Sequence, residues 1–390
     1  MAKLPAYFGP SAFGLKMGVI VPGSNLLTML VQVIGQCNRD SVLDDGDVLC
    51  VTESVLARSQ NNYVTVGEIA GEIQEKLPFG PVGRIGVLFP IASRNRFAKV
   101  LEAIAAAVPE GEVVVQLSWP RDEVGNPVIS EQFALDLGKG PGDPISPEEL
   151  MGGSFRHPIT QVDYLELYRQ IIRSRGARPV VYLSNDPVAI LAYRPQGVVV
   201  ADIHQREKTR AGLAGRVEVI TLGDLCSSPG RRAWSEWGLL GSNMSSGDML
   251  KLAPRCASAF ARDVQRETAE STGKEIEVLV YGDGAYKDPT TQIYELADPQ
   301  PVFGATPGLA NLLREGFKYK YLVDFYHQRG QSVKEIEALL RQRSPEGLEY
   351  AETGGTTPRR LEDVIASLAD LVSGSADAGT PAVLVKGFFG

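Results

Sequence analysis

Short apolar runs alternate with polar turns in the first third of the chain. Residues 48–51 form one such run after the acidic turn DDGD, and residues 111–117 (GEVVVQL) form another. Residues 97–108 between them are rich in alanine and have the spacing of a helix. A strand, a helix and a second strand in this order predict α/β layering. The same patterns predict a helix at 26–36 and a strand at 82–89.

The middle of the chain repeats this alternation. Residues 136–158 are rich in glycine, proline and acids without periodicity, which predicts a loop or a domain edge. We therefore predict an α/β insert at residues 120–216 between two outer parts, 1–119 and 217–390, that together form one domain. The apolar patterns of the insert and its end predict a helix at 164–175, strands at 179–183, 197–202 and 217–222, and a short element at 188–193.

The last third holds longer periodic segments. Residues 249–270 predict a long helix that ends near Gly273, because glycine commonly terminates helices. The run EIEVLVY at 275–281 predicts a strand, which the loop 282–289 follows. The predicted fold class is mixed α and β (α+β). Further helices are predicted at 317–329, 333–343 and 361–371, and a strand at 381–386.

Composition and charge narrow the function classes. The formal net charge is −8 over 390 residues and no basic stripe offsets it, which argues against binding to a nucleic-acid backbone. The four cysteines lack metal-ligand spacing, and so large and cysteine-poor a chain does not indicate a disulfide framework. No signal-peptide pattern and no apolar stretch of about 18 residues occur. We expect a soluble, cytoplasmic protein that binds neither nucleic acid nor a membrane.

Several familiar motifs are incomplete or absent from the sequence. Residues 138–143 (GKGPGD) lack the spacing of a phosphate-binding P-loop, and no GxGxxG follows a predicted strand. The three histidines lack zinc-binding spacing, and no serine lies in GxSxG. The sequence therefore gives little support for a Rossmann cofactor site, a histidine zinc site or a nucleophilic hydrolase.

The loop after the strand at 275–281 holds the strongest candidate for chemistry. Asp283 stands between two glycines, with Lys287 and Asp288 close behind. Glycines let the backbone approach a ligand, and a carboxylate there binds Mg²⁺ or Mn²⁺ that bridges phosphates. A glycine-rich turn whose aspartate makes local hydrogen bonds explains the pattern equally well. Asp248, at the start of a predicted helix, is a second candidate, although a capping role is the commoner use of an acid there.

Three patches of the sequence occur in an informative order. The first is DDGDVLCVTESVLARSQ, the second is GLLGSNMS with the later VLVYGDGAYKDP, and the third runs from LEDVIASL to AVLVKG. They resemble, in turn, the strand and nucleotide loop, the GVDxSN and SDTFGR patches, and the C-terminal helix and strand of one family. That family is coenzyme F420-0:L-glutamate ligase, a GTP-dependent γ-glutamyl ligase. Residues 120–216 and 299–343 lie outside the resemblance.

The resemblance implies roles in nucleotide binding for particular residues. Asn243 matches a nucleotide-contacting asparagine, and Ser242 beside it is a loop donor. Glu53 and Ser54 fall on further nucleotide-contacting positions, and Ser54 replaces a lysine of the family pattern. Arg58 stands where the family has a lysine near the GTP phosphates, so the positive charge is retained.

The resemblance also implies a divalent cation, Mg²⁺ or Mn²⁺, alongside GTP. Asp283 matches a metal-binding aspartate of the family, with Asp248 or Asp288 as further ligands. Lys287 is expected to act with Asp283 in catalysis through contacts to the phosphates.

The sequence departs from the family pattern near the expected metal site. Leu240 replaces an aspartate, Gly284 replaces a threonine and Ser375 falls where an acid is common. Affinity for hard cations depends on the number and charge of oxygen ligands. One alternative is therefore a non-catalytic binding protein that kept the fold but exchanged the metal cluster for an apolar pocket. Another is a ligase for a different acid, of folate or peptide type.

By resemblance, the protein is an enzyme that joins an amino acid such as L-glutamate to a carboxylate substrate. GTP would phosphorylate the acid, and an amine would attack the resulting acyl phosphate. In such chemistry the protein mainly positions reactants and neutralises phosphate charge. The implied partners are the two small-molecule substrates and the nucleotide. The implied architecture is a mixed α and β fold in an intertwined homodimer.

Overall fold

A computed structural model describes residues 7–77, 79–158, 160–283, 297–310, 312–314, 318–342, 359–373 and 379–389 of the 390-residue chain. Its strands are β1 Ser11–Leu15, β2 Val48–Thr52, β3 Tyr63–Thr65, β4 Arg84–Leu88, β5 Glu112–Leu117, β6 Arg178–Leu183, β7 Gly197–Val200, β8 Glu218–Thr221, β9 Asn243–Met244, β10 Met249–Lys251, β11 Glu277–Tyr281, β12 Val302–Ala305, β13 Leu313–Arg314, β14 Arg359–Arg360 and β15 Ala382–Lys386.

Helices connect most of these strands. They are α1 Leu26–Arg39, α2 Glu53–Ser59, α3 Val66–Lys76, α4 Lys99–Ala107, α5 Glu131–Asp136, α6 Tyr164–Ser174, α7 Arg206–Leu213, α8 Ala257–Thr272, α9 Tyr319–His327, α10 Val333–Gln342 and α11 Leu361–Ser373. A π-helical turn, Arg94–Ala98, precedes α4, and short 3₁₀ helices span Pro187–Tyr193 and Leu222–Asp224. Among the described helices, none combines the length and the apolar character that crossing a bilayer requires.

A mixed sheet in the order β1-β15-β2-β11-β12 is central to the outer parts of the chain. β2 and β11 are parallel, whereas the other neighbours are antiparallel. Leu49 and Val51 of β2 pack in the core formed with α1 and α8, and Val48 and Cys50 pack against α11 on the other face. Because both faces are covered, β2 is apolar without interruption. The predicted strand at 48–51 is confirmed.

A second sheet, in the order β6-β5-β4-β7-β8, is parallel throughout. Side chains of α3, α4 and α6 share the core on one face, and α7 and the Pro187–Tyr193 helix cover the other. The chain places β5 and then β6 on one side of β4 and afterwards returns to place β7 on the other side. This is a doubly wound arrangement. Each valine or leucine fully buried in it contributes about 1.5–3 kcal/mol to folding.

The parallel sheet begins earlier in the chain than the predicted insert. We predicted an insert at residues 120–216, which leaves β4 and β5 in the first outer part. Both strands instead pair with later ones, β5 with β6 and β4 with β7. The sheet therefore extends from Arg84 to Thr221. Parallel neighbours are joined by long crossovers, so strand pairing is not visible in local sequence patterns.

The predicted helix at 249–270 is wrong in its first part. Met249–Lys251 is β10, the middle strand of a small antiparallel sheet between β3 and β9, and α8 begins only at Ala257. Pairing on both edges overrides the helical spacing of these residues, because tertiary contacts outweigh intrinsic propensity. The far end of the helix is as predicted, since Gly273 terminates it with a φ of 69°. The mixed α and β fold class is confirmed.

Candidate active site

A polar cavity of about 320 Å³ lies beyond the carboxyl ends of the parallel strands β2 and β11. β2 ends at Thr52 and leads directly into α2, whereas β11 ends at Tyr281 and continues as Gly282 and Asp283. Parallel neighbours bring the residues that follow them to the same edge of a sheet. The remaining lining residues come from α2 (Glu53, Ser54, Val55 and Arg58) and from more distant parts of the chain: Arg96, Asn243, Asp298, Asp370, Ser373, Thr380 and Pro381.

Arg96 joins two carboxylates in the wall of this cavity. Its Nη2 lies 2.6 Å from Asp283 Oδ2, and its Nη1 lies 2.6 Å from Asp298 Oδ1. The backbone N–H of Asp283 donates to Asp298 Oδ2 at 2.9 Å. The Asp298 side chain is 2% exposed and that of Arg96 is 16% exposed. Charge-assisted hydrogen bonds of this kind fix the direction of each carboxylate as well as its charge environment.

The π-helical turn Arg94–Ala98 presents Arg96 to the cavity. Ser93 caps this turn, because its Oγ accepts the Arg96 N–H at 3.2 Å. The Ser93 N–H donates to the hydroxyl of Tyr168, which itself donates to the carbonyl of Ile91 at 2.6 Å. Tyr168 belongs to α6, which packs on the parallel sheet β6-β5-β4-β7-β8. This sheet and its helices, the parallel-sheet unit, therefore position Arg96 in a cavity that lies at the central sheet. Turns of the π type are frequent at functional sites.

Gly282 allows Asp283 to approach Asp298 closely. A Cβ atom at position 282 would overlap the Asp298 carboxylate and the ring of Phe303. Glycine at this position therefore reflects a close approach of the backbone to a carboxylate. We predicted that the glycines beside Asp283 allow the backbone to approach a ligand. Gly282 instead allows a close contact within the protein, between the backbone and the Asp298 carboxylate.

Glu53 and Lys251 form a buried ion pair beside the cavity. The Lys251 Nζ lies 2.7 Å and 2.8 Å from the two Glu53 carboxylate oxygens. Both residues are buried. Burial raises the pKa of Glu53, and the Lys251 ammonium opposes that shift. Glu53 is therefore a compensated charge at the start of α2.

The carboxylate of Asp283 in the cavity wall has a strongly raised pKa. Burial, and then the neighbouring Asp298 carboxylate, raise the pKa of Asp283 to about 8, although Arg96 opposes the shift. Burial alone would lower the pKa of Arg96, but the carboxylates of Asp298 and Asp283 outweigh it and raise the pKa above its ordinary range. A strongly perturbed carboxylate in a cleft is a common mark of a functional site.

Comparison with known families shows what kind of protein carries this cavity. The family model described as F420-0:gamma-glutamyl ligase matches residues 14–387. The chain belongs to the F420-0:gamma-glutamyl ligase family. The predicted membership is confirmed, and the match spans residues 120–216 and 299–343, which we placed outside the resemblance. The members of this family are γ-glutamyl ligases, which are enzymes that form a carbon–nitrogen bond. A comparison with curated proteins gave no match.

Four of the five predicted nucleotide-contacting residues of this family member line the cavity. They are Glu53, Ser54, Arg58 and Asn243. Ser242 does not line it. This residue is buried, and its Oγ has no hydrogen-bond partner in the described parts of the chain. Their roles in nucleotide binding stay predictions.

The predicted metal ligands are only partly brought together. Asp283 lines the cavity, but Asp248 does not. Asp248 lies exposed in the turn before β10, with Oδ1 3.2 Å from Arg175 Nη2 and 3.8 Å from Lys99 Nζ. The prediction that Asp248 begins or caps a helix is wrong, because the chain enters a strand there. Two further predicted residues, Lys287 and Asp288, lie outside the described residues.

The carboxylates of the cavity suit a cation that arrives with phosphates. The described residues contain no group of three or more side-chain ligands arranged for a metal ion. Mg²⁺ usually takes one or two protein carboxylates together with substrate phosphates and water. Asp283 and Asp370 both line the cavity and meet that smaller requirement. These two acids therefore fit Mg²⁺ or Mn²⁺ that is also coordinated by phosphates and water, not an ion held by protein alone.

Sequence patterns missed Arg96, Asp298 and Asp370. Arg96 lies in the turn after β4, a strand of the parallel sheet. It lines this cavity because of the way the parallel sheet meets the central sheet. The one local signal is the basic segment SRNR soon after the predicted strand at 82–89. Asp298 precedes β12 in a proline-containing loop, and Asp370 lies on α11. Neither of these acids belongs to a recognisable motif.

Leu240 does not form an apolar wall of the cavity. It is buried in the core of the parallel-sheet unit and is not among the residues that line the cavity. The replacement of an acid at this position was the main sequence argument for an apolar binding pocket, and the packing of Leu240 removes it. The other two departures from the family pattern, Gly284 and Ser375, lie outside the described residues.

Proposed function

We propose that the protein is a GTP-dependent ligase that joins an amino acid such as L-glutamate to a carboxylate substrate such as F420-0. One observation supports this most directly: a single cavity collects residues from sequence patches that are far apart. Arg58 comes from the first patch, Asn243 from the second and Asp283 from the loop after β11. A ligand that spans all three contacts is the simplest reason for their convergence.

The proposed reaction has two steps. A carboxylate oxygen attacks the γ-phosphorus of GTP, and GDP leaves. The amine then attacks the acyl carbon, inorganic phosphate leaves, and the nitrogen loses a proton to solvent. Neither step requires a protein nucleophile, because the protein acts by positioning the reactants and compensating phosphate charge. A divalent cation bound with the nucleotide would supply further neutralisation of phosphate charge.

The cavity residues fit these tasks by their chemistry. Arg58 is exposed on α2, where its side chain is available to nucleotide phosphates. Arg96 is a second cation, held in direction by its contacts with acids on either side. Asn243 offers an amide to the base or the ribose. Asp283 and Asp370 would hold the cation, and Lys287 keeps its predicted role at the phosphates.

Phosphate release tests the proposal. Purified protein is supplied with GTP, MgCl₂ or MnCl₂, F420-0 and L-glutamate, and with each component left out in turn. We expect release that requires all of them. An Asp283→Asn variant should lose about 100-fold to 1,000-fold in kcat, the usual cost of removing one electrostatic contact to a transition state. Asp263→Asn changes a half-exposed acid on α8 that does not line the cavity; it is the control and should keep full activity.

The same assay separates the alternatives. Release with folate-type or peptide acids but not with F420-0 would assign a ligase for another acid. Calorimetry with GTP and Mg²⁺ that shows no metal-dependent binding would indicate a non-catalytic member of the family. The proposed homodimer is tested by light scattering, where a strictly monomeric mass would contradict it.

A further inference from the structure

The strand order of the doubly wound parallel sheet reverses at β4, and such a reversal is called a switch point. It lies apart from the cavity at the ends of β2 and β11, the ligase cavity. β4 connects onward to β5 on one side, and the chain returns from β6 to β7 on the other side of β4. In open parallel sheets, ligands bind in the crevice outside the carboxyl ends of the strands at such a point. The crevice between the ends of β4 and β7 is therefore the first place to look for a ligand.

A second cavity, of about 560 Å³, lies at this switch point. Its wall includes the residues that come soon after four strands: Phe89 after β4, Ser118 after β5, Asn185 after β6 and Asp202 after β7. The volume is within the usual range for sites that bind small molecules. None of its lining residues also lines the cavity at the ends of β2 and β11.

Asp202 carries an unused acceptor in the wall of this second cavity. The residue is 3% exposed. Its Oδ2 accepts a hydrogen bond from the Thr209 hydroxyl at 2.7 Å, whereas its Oδ1 has no hydrogen-bond partner in the described parts of the chain. Burial raises the pKa of Asp202 to about 6. A buried carboxylate oxygen without a donor is costly, and because Asp202 lines the cavity, a bound ligand can supply that donor.

The other acids of this cavity are committed to backbone contacts. Asp122 accepts N–H groups of Ala92, Val124 and Asn126. Glu123 accepts the backbone N–H groups of residues 203 and 204, which tie it to the loop after β7. Among these acids, Asp202 is therefore the one that offers an oxygen to a hydroxyl or amino group of a ligand.

The rest of the wall favours an anionic group and an apolar ring. Arg121 and Lys208 supply two cations, and both side chains are exposed. Phe89 and Pro187 supply apolar surface. Phe89 is held at a φ of 52°, a backbone conformation that is uncommon for a bulky residue and that clusters at functional sites. The segment after β4, FPIASRNRF, lacks the GxGxxG pattern of dinucleotide sites.

We infer that this second cavity binds a small phosphorylated hydroxyl compound, with a hydroxyl donated to Asp202 and the phosphate held by Arg121 and Lys208. A nucleoside monophosphate and a sugar phosphate share this chemistry. The inference does not depend on the ligase reaction, because it concerns a different cavity in the parallel-sheet unit.

Calorimetry with AMP, ribose 5-phosphate and inorganic phosphate tests the inference on the full-length protein. We expect one organic phosphate to bind, with binding weakened at least about tenfold by Asp202→Asn and severalfold by Lys208→Gln. Stronger binding of AMP would identify a nucleoside ligand, and stronger binding of ribose 5-phosphate a sugar ligand. Lys334→Gln on α10 is the control for a lost surface charge and should bind as the wild type does. An Asp283→Asn variant that binds equally well would place the ligand outside the ligase cavity.

Stability distinguishes a ligand contact from a structural one. An acid with a higher pKa in the folded state contributes stability below its unfolded pKa and loses it as the pH rises through the folded value. Asp202→Asn should therefore be at least as stable as the wild type at neutral pH while it loses binding. Gly212→Phe, on an exposed face of α7 that lines the cavity, should block binding in a folded protein if Asp202→Asn does not fold.

Three results would overturn the inference. They are failure of both organic phosphates to bind at millimolar concentration, equal binding of inorganic phosphate and the organic compounds, and binding that survives in both Asp202→Asn and Gly212→Phe.

Discussion

Replacing Arg96 with glutamine removes the positive charge that both Asp283 and Asp298 contact. Glutamine keeps a hydrogen-bonding group of similar reach but cannot neutralise a carboxylate. The buried Asp298 carboxylate then loses its cationic partner, and the Asp283 carboxylate loses the one group that favours its ionised form most strongly. Both effects act in the folded protein and are absent from the unfolded chain.

The expected loss of stability follows from burial. Removing one partner of a fully buried ion pair costs about 3–5 kcal/mol. The Arg96 side chain is 16% exposed, so water screens part of its interaction with the buried Asp298 carboxylate. We therefore expect the lower end of that range, about 3 kcal/mol at neutral pH.

The loss should also depend on pH. Asp283, with a pKa raised to about 8, is mostly protonated at pH 7 in the wild type and ionises above pH 8. Without Arg96 its folded pKa rises further, so the folded variant holds this proton to a higher pH. Stability falls with pH wherever the folded state binds more protons than the unfolded state. The difference between wild type and variant should thus widen above pH 8, by at most about 1.4 kcal/mol per pH unit.

Urea unfolding followed by circular dichroism, near pH 6.5 and near pH 9, measures both effects. Arg94→Gln is the matched control, because Arg94 lies on the same π-helical turn but is exposed and does not line the cavity. It should change the free energy of unfolding by less than about 0.5 kcal/mol. An Arg96→Gln variant that loses less than about 1 kcal/mol, or whose loss is identical at both pH values, would refute the reasoning.

Three further substitutions test the packing of charge around the two cavities. Lys251→Met removes the cation that Glu53 contacts and should cost about 3 kcal/mol in urea unfolding. The cost should be smaller at acidic pH, where the raised pKa of Glu53 lets it take up a proton, and equal cost at all pH values would contradict this. Gly282→Ala should cost about 1–3 kcal/mol by forcing a Cβ against Asp298, and an unchanged melting curve would contradict the close approach. Asp122→Asn places an amide NH₂ against backbone donors and should cost about 2 kcal/mol in the same assay, whereas a neutral effect would show that those contacts are weak.

Sequence patterns predicted the elements whose residues face the same environment along their whole length. β2 is apolar because helices cover both faces of the central sheet, and the apolar run at 48–51 shows this directly. β10 was missed because it has three residues, and its strand pairing with β3 and β9 is invisible in a helical spacing that continues into α8. Local patterns carry the information for the first case and not for the second.

The residues of the candidate site also fall into two groups, those that a local sequence pattern predicts and those that it does not. Asp283 stands out because a short polar loop follows an apolar strand, a signal contained in a few consecutive residues. Arg96 reaches the cavity only because Tyr168 of α6 holds the turn after β4, and because the two sheets meet in a particular way. Such a residue depends on the relative placement of distant elements. Local patterns in a single sequence do not predict that placement.

The pairing of distant strands in the central sheet has a consequence for synthesis on the ribosome. β2 is made early, but its neighbours β11 and β15 emerge only after the entire parallel sheet has been translated. The parallel sheet can complete its own core first, since β4 to β8 pair with one another in a single sheet. Until β11 and β15 arrive, the nascent chain exposes the apolar strand β2 with both edges unpaired, a state that is prone to aggregation. Production of this protein should therefore respond to chaperone supply during translation more than its final stability suggests.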